Sequence, residues 1–204
     1  ESVGYRAIFS GQKTYNGVAI LSREQAEDPL TDLPGLDDPQ RRVLAATLGK
    51  VRVLNLYVPN GQSVDSDKYY YKLEWLDNLA RYVKSQLRKY DYFVMLGDFN
   101  IAPTDLDVYD PQAWQGQVLV SQPERAVLDK IIQFGLVDLL RQYHPEQIFT
   151  WWDYRQAAFR RNRGLRIDHI IASSKLAECA TDCRVDKEAR KVERPSDHAP
   201  VIAN

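Results

Sequence analysis

The stretch YFVMLGDFN, residues 92–100, is an apolar run closed by Gly97 and followed by Asp98 and Asn100. A continuous apolar run of this length reads as a strand buried on both faces, at the centre of a sheet. Its C-terminal end then presents Asp98 and Asn100, and polar side chains held at the end of a rigid strand are placed to meet a substrate.

Immediately upstream, Leu73, Leu76, Leu79, Ala80, Val83 and Leu87 recur at spacings of three and four between Lys68 and Tyr90, which predicts the longest helix of the chain. Further out, 4–10 and 17–22 flank the turn-like GQKTYN and read as two paired strands. A second hairpin pairs 42–48 with 51–58 around Gly49 and Lys50, and its latter strand stops at Pro59. Downstream, 124–134 is a second helix, and GLVDLL, FTWWDY, RIDHIIAS, DCRVD and APVIA are short strand-like runs between loops. Hairpin-paired strands with few, segregated helices point to an α+β fold of two sheets packed face to face, helices outside.

At 204 residues, the chain suits one compact domain, 1–204. Hydrophobic content of 44% with 27% charged residues excludes disordered and fibrous classes. The apolar runs fall short of the roughly 18 residues of a membrane span, so no membrane partner is expected. The two cysteines, Cys179 and Cys183, are too few for a disulfide framework or a four-ligand zinc site, and read as reduced thiols of a cytoplasmic protein. A net charge of −1 argues against wholesale attraction to a polyanion and leaves local polarity open.

The polar residues at the ends of apolar runs are Tyr57, Asn60, Asp98, Asn100, Asp168, Asp197 and His198. They contain no obvious serine–histidine or cysteine–histidine pair. Carboxylate and carboxamide oxygens with one histidine suit a hard divalent cation such as Mg²⁺, which prefers oxygen ligands and keeps several waters. Metal-assisted phosphoester hydrolysis is the chemistry expected of that set.

In order along the chain, GYRAIFSGQKTYNGVAILS, NLYVPNG, GDFNIAPTDLDVYDP, GLVDLLR, FTWWDYR, NRGLRIDHIIAS and PSDHAPV resemble the exonuclease III family of apurinic/apyrimidinic (AP) endonucleases. That family lies within the endonuclease/exonuclease/phosphatase superfamily. GDFN is shared across the superfamily, whereas its combination with WWDYR, NRGLRID and SDHAP is specific to the exonuclease III branch. The resemblance implies a four-layer α/β sandwich with two central mixed sheets, and cleavage of duplex DNA 5′ to abasic sites. It also implies 3′→5′ exonuclease and 3′-phosphatase activity on blocked 3′ ends, with Mg²⁺ or Mn²⁺ as cofactor and a monomeric enzyme.

By the same resemblance, Tyr57 lies near the scissile phosphate and Asn60 supports its loop. Asp98 and Asn100 orient or deprotonate the attacking water, and the Asn100 amide holds a phosphate oxygen. Asp98, Asn100 and Asp197 hold metal. His198 touches phosphate or transfers a proton, with its tautomer fixed by Asp168. Either Asp98 or His198 serves as general base. For the substrate, Lys13 and Tyr15 press on the minor groove, while Trp151, Leu165 and Ile167 line an apolar pocket for the extruded sugar. Arg155, Arg160, Arg161, Arg163 and Arg166 form a basic footprint without an intervening acid.

The family's W-N-V-N-G and L-Q-E motifs, the latter carrying a principal metal-binding glutamate, have no counterpart here, and Glu1 is too close to Gly4 to substitute. The expectation is a fold missing its first strands and clipped at its C-terminus, inside or just after its last strand. Other readings are a different phosphoesterase of the superfamily, a non-catalytic nucleic-acid-binding relative, or an inactive fragment. Within RIDHIIAS, strand alternation separates Asp168 from His169, so His169 is expected to be structural, and Arg166 is expected on the Asp168 side.

Overall fold

A computed structural model describes residues 3–204; the reading of Glu1 lies outside them. The strands are β1 (Arg6–Gly11), β2 (Gly17–Ser22), β3 (Glu27–Leu30), β4 (Val43–Leu48), β5 (Val51–Tyr57), β6 (Tyr92–Asp98), β7 (Leu136–Asp138), β8 (Asp168–Ser173), β9 (Cys183–Val185) and β10 (Val201–Ala203). The helices are α1 (Asp67–Gln86), α2 (Pro111–Trp114), α3 (Gln122–Ile132), α4 (Leu139–Tyr143) and α5 (Ser174–Ala177).

A six-stranded mixed sheet ordered β3-β4-β5-β6-β8-β7 forms the centre, with β1–β2 and β9–β10 as separate two-stranded pairs among the described residues. β6 is central, as its unbroken apolar run predicts: it pairs parallel with β5 and antiparallel with β8. The parallel pair is joined by α1, whose N-cap Ser66 accepts from the Tyr69 amide.

Alternation along the strands builds two cores. Leu54, Leu56, Phe93, Met95 and Ile171 pack on one face with Trp75, Leu76, Leu79 and Val83 of α1. Val94 and Ala172 face the other way, with Val53, Leu96 and Ile170 partly buried beside them. Val18 and Ile20 of β2 cover Leu44 and Ala46 on β4.

Two differences from the sequence reading have simple causes. β3 contains Pro29, which cannot donate to a ladder, and it survives only as an edge strand with a register shift. GLVDLL divides into β7 and α4 because the Asp138 carboxylate accepts from the Arg141 amide and caps a helix there.

Candidate active site

Tyr57, Asp98 and Asp168 stand in one row. Tyr57 ends β5 opposite Asp98, and Asp98 ends β6 opposite Asp168, the first residue of β8. Register partners share a face, so the three side chains project from the side of the sheet away from α1. Asp98, Asp168 and His198 border a cleft of about 450 Å³.

The G-D-F-N turn is set by backbone geometry. Gly97 has φ +129°, and a Cβ there would lie 2.0 Å from the Leu56 carbonyl oxygen, so only glycine lets β6 pass β5 at this point. Asn100 sits in the left-handed region at φ +50°, and its backbone N–H reaches Asp98 Oδ1 at 2.9 Å. The Asn100 amide is fully engaged: Nδ2 donates to Val58 O at 3.1 Å and Asp98 Oδ2 at 3.0 Å, while Oδ1 accepts from Asn60 Nδ2 at 3.0 Å. Asn60 and Asn100 are therefore coupled directly, across two loops.

Across the row, His198 Nδ1 lies 3.0 and 2.9 Å from the two Asp168 carboxylate oxygens. That contact leaves Nε2 as the nitrogen available to a phosphate. Burial alone would lower the His198 pKa, but the Asp168 hydrogen bond and the charges of Asp168, Asp98 and Asp197 raise it to about 9, so the ring is cationic at neutral pH. Asp98 is pushed up to about 7, first by burial and then by the neighbouring Asp168 charge.

Asp197 accepts the Trp151 indole N–H on Oδ2 at 2.9 Å, and its backbone oxygen accepts from the Trp152 amide at 3.0 Å. Trp151 bridges both Leu165 and His198, which ties the S-D-H turn to the W-W-D-Y-R segment. Thr150, absent from the sequence reading, is the joint between them. Its Oγ1 accepts from the Ile167 and Asp168 amides, each at 3.1 Å, and its carbonyl accepts from Ala199 N–H at 2.7 Å.

Of the three metal positions, Asp98 and Asn100 are in direct contact with each other. Among the described residues no group of three or more His, Cys, Asp or Glu side chains is placed to hold a metal. Asp197 is turned to the Trp151 indole, and the Asn100 amide is spent on Asn60, Val58 and Asp98. The donor chemistry nevertheless fits a hard cation. Asp98 has no cation in contact with its carboxylate among the described residues and lies beside Asp168, and Mg²⁺ commonly uses one or two carboxylates, with water and substrate phosphate completing its shell.

For the substrate residues the outcome is mixed. Tyr15 is 75% exposed and shares a cleft of about 720 Å³ with Asn60, Arg42 and Lys68, so the β1–β2 loop does approach the row. Lys13 is exposed on that same loop. Trp151 and Arg155 line a separate cleft of about 310 Å³, where Arg155 pairs with Asp153 at 2.7 Å. Leu165 and Ile167 are buried beneath Trp151 with Ala102 and Val108, and expose almost no surface for a sugar. Trp152 is a core residue, as expected.

Arg166 departs from the expected footprint. It is buried, with Nε on Asp107 Oδ1 and Nη1 on Asp138 Oδ2, both at 2.6 Å, and Nη1 also lies 3.1 Å from His169 Nδ1. β8 starts only at Asp168, so strand alternation does not extend back to Arg166, which turns inward on the His169 side. Arg155, Arg160, Arg161 and Arg163 stay exposed. His169 is structural: its Nε2 lies 2.9 Å from the Ile101 carbonyl oxygen, and its ring meets the edge of Phe99.

Residues 2–198 match the model of the endonuclease/exonuclease/phosphatase family. Exodeoxyribonuclease III of Haemophilus influenzae is 35% identical over 217 residues, covering all of this chain and 81% of the relative. The chain belongs to the exonuclease III branch of that family. Among solved structures, a 3′ phosphatase from Neisseria bound to a product DNA hairpin superposes with a TM-score of 0.98 at 50% identity, covering all of this chain and 80% of that one. An AP endonuclease from Archaeoglobus fulgidus superposes at 0.94 and 40% identity, with the same coverage. The fold is accordingly the DNase I-like α+β sandwich of that branch.

Proposed function

We propose that this protein is a DNA repair nuclease that cleaves the phosphodiester 5′ to abasic sites and trims or dephosphorylates blocked 3′ ends of duplex DNA. The observation that carries this reading is the Tyr57–Asp98–Asp168 row with His198 held on Asp168. The named activities of the relatives in Haemophilus, Neisseria and Archaeoglobus point the same way.

His198, cationic through Asp168, binds and orients the phosphate through Nε2. Asp98, oriented by the Asn100 N–H and side-chain amide, accepts the proton of the attacking water, and the Tyr57 hydroxyl approaches the leaving oxygen. Asp168 fixes the His198 tautomer. Asp98 and Asp197 are the carboxylates that would hold Mg²⁺, or Mn²⁺ in its place. When bound, the ion supplies charge stabilisation to the phosphoryl oxygens. The exposed Arg160, Arg161 and Arg163, with Lys13 and Tyr15 on the opposite loop, supply contacts to the duplex backbone. We assign the protein as a monomer, and its two free cysteines suit a reducing cytoplasm.

The test is incision of a duplex bearing one tetrahydrofuran abasic-site analogue. Mg²⁺ should give a single cut 5′ to the analogue, and EDTA should abolish it. Binding of the duplex without incision in Mg²⁺ would instead favour a non-catalytic nucleic-acid-binding protein.

A further inference from the structure

On α1, Tyr69, Lys72, Leu76, Leu79 and Val83 share the stripe that faces the core, and Lys72 is the one charged member of it. Its side chain is fully buried. An ammonium has three N–H donors, and Lys72 uses all of them. Nζ donates to Asn60 O at 3.1 Å, to Asn100 O at 2.7 Å, and to the Glu124 carboxylate.

Glu124 is equally buried and held from the other side. Its oxygens accept from the Leu119 and Ser121 amides, each at 3.1 Å, and from the Ser121 hydroxyl. Tyr69 joins the same Ser121 hydroxyl at 2.6 Å, one turn from Lys72. The Y-V-P-N-G loop is shaped to the lysine stem: Gly61 has φ +92°, and a Cβ there would meet Lys72 Cδ at 3.1 Å and Val118 Cγ2 at 3.0 Å.

A buried ion pair is often no more stabilising than apolar side chains of the same volume, so stability alone does not account for this one. The placement of its two carbonyl acceptors does. They belong to the two residues whose side-chain amides also touch, Asn60 and Asn100, and Asn100 in turn binds Asp98 through both its backbone and its side chain.

We propose that Lys72 is a positioning residue: its ammonium, anchored by Glu124, clamps the Asn60 and Asn100 loops together and thereby sets Asp98 in the row. The catalytic part of this inference rests on the nuclease reading; the clamp itself does not. Lys72 lies beneath the loops and touches no reacting atom.

The experiment compares Glu124→Gln with the double variant Lys72→Met/Glu124→Gln. Glu124→Gln removes the counter-charge but leaves the Lys72 nitrogen, with at least two N–H donors, on both carbonyls, and should lose stability while retaining kcat within about threefold. The double variant removes both charges, should regain thermal stability, and should still lose kcat by about tenfold or more with KM little changed, as misplacement of a reacting group predicts. Amide exchange at 60–62 and 98–101 should accelerate in the double variant alone. A double variant with unaltered kcat and protected loops overturns the clamp. If the double variant does not fold, exchange in the unmodified protein decides: one ammonium closing both loops requires a shared opening free energy, and two separate values overturn the proposal. If the unmodified protein fails to incise, the nuclease reading falls and the exchange data still judge the clamp.

Discussion

Asp98 and Asp168 are direct partners across the antiparallel pairing of β6 and β8, and only Asp168 has a cation, His198, against its carboxylate. This asymmetry gives two adjacent carboxylates different roles. One is spent holding a histidine, and the other is raised to about 7 by burial and by its neighbour's charge.

Asp168 and His169 are adjacent in sequence, and opposite effects are expected from replacing them. Asp168→Ala releases His198 and should reduce incision about 10²-fold or more, with little loss of stability. His169→Leu strips a partner from Arg166 and from the Ile101 carbonyl, and should cost about 1–3 kcal/mol of stability. Incision per folded molecule should stay within about threefold, since the ring lies on the face away from the row. Single-turnover rates beside urea midpoints separate the two.

Gly97→Ala should prevent folding. The added Cβ has no room against the Leu56 carbonyl oxygen, and the φ of +129° is outside the range of other residues. Loss of soluble protein, or a far-ultraviolet spectrum without native structure, is the expected result. A folded variant would mean that the β5–β6 contact relaxes.

Acid should weaken the fold through the Arg166 network. Burial alone would raise the Asp107 pKa, but Arg166, Thr104 and Arg141 hold it at about 2. His169 is pushed below its ordinary 6.5, by burial and then by Arg166. Both folded values lie below the unfolded ones. The His169 contribution is therefore present above about pH 6.5 and lost on acidification, while that of Asp107 is present above about pH 4 and lost toward pH 2. Between pH 7 and 4 Asp98, raised to about 7, gains stability on protonation and opposes the His169 loss, so urea midpoints should fall clearly only below pH 4, and Asp107→Asn should flatten that limb.

Arg160→Ala, Arg161→Ala and Arg163→Ala should each weaken duplex binding regardless of sequence. Each that contacts a phosphate should lower the slope of log affinity against log salt by about one. Arg166→Ala behaves differently: it leaves Asp107 and Asp138 buried without their cation and should cost about 3–5 kcal/mol of stability. Salt titrations beside melting curves distinguish a phosphate contact from a structural ion pair.

Much of the fold was legible because its signals are local. The apolar run before Gly97 marks a central strand, the three-and-four spacing marks α1, and alternation in RIDHIIAS separates Asp168 from His169. Lys72 and Glu124 carried a weaker signal that the reading passed over: a lysine on the apolar stripe of α1, and a glutamate three residues after Ser121 in a capping box.

The sequence by itself determined the family, the strand ends that carry Tyr57, Asp98 and Asp168, and the inventory of oxygen donors. Only the tertiary structure decided most of the partners those groups take. It bore out the pairing of His198 with Asp168 that the resemblance implied, turned Asp197 to Trp151, drew Arg166 inward to Asp107 and Asp138, and placed Lys72 beneath two loops. The reason is physical. Periodicity reports which face of an element is apolar, whereas the partner of a buried charge comes from elements far away in sequence, brought close only when the sheet and its helices pack.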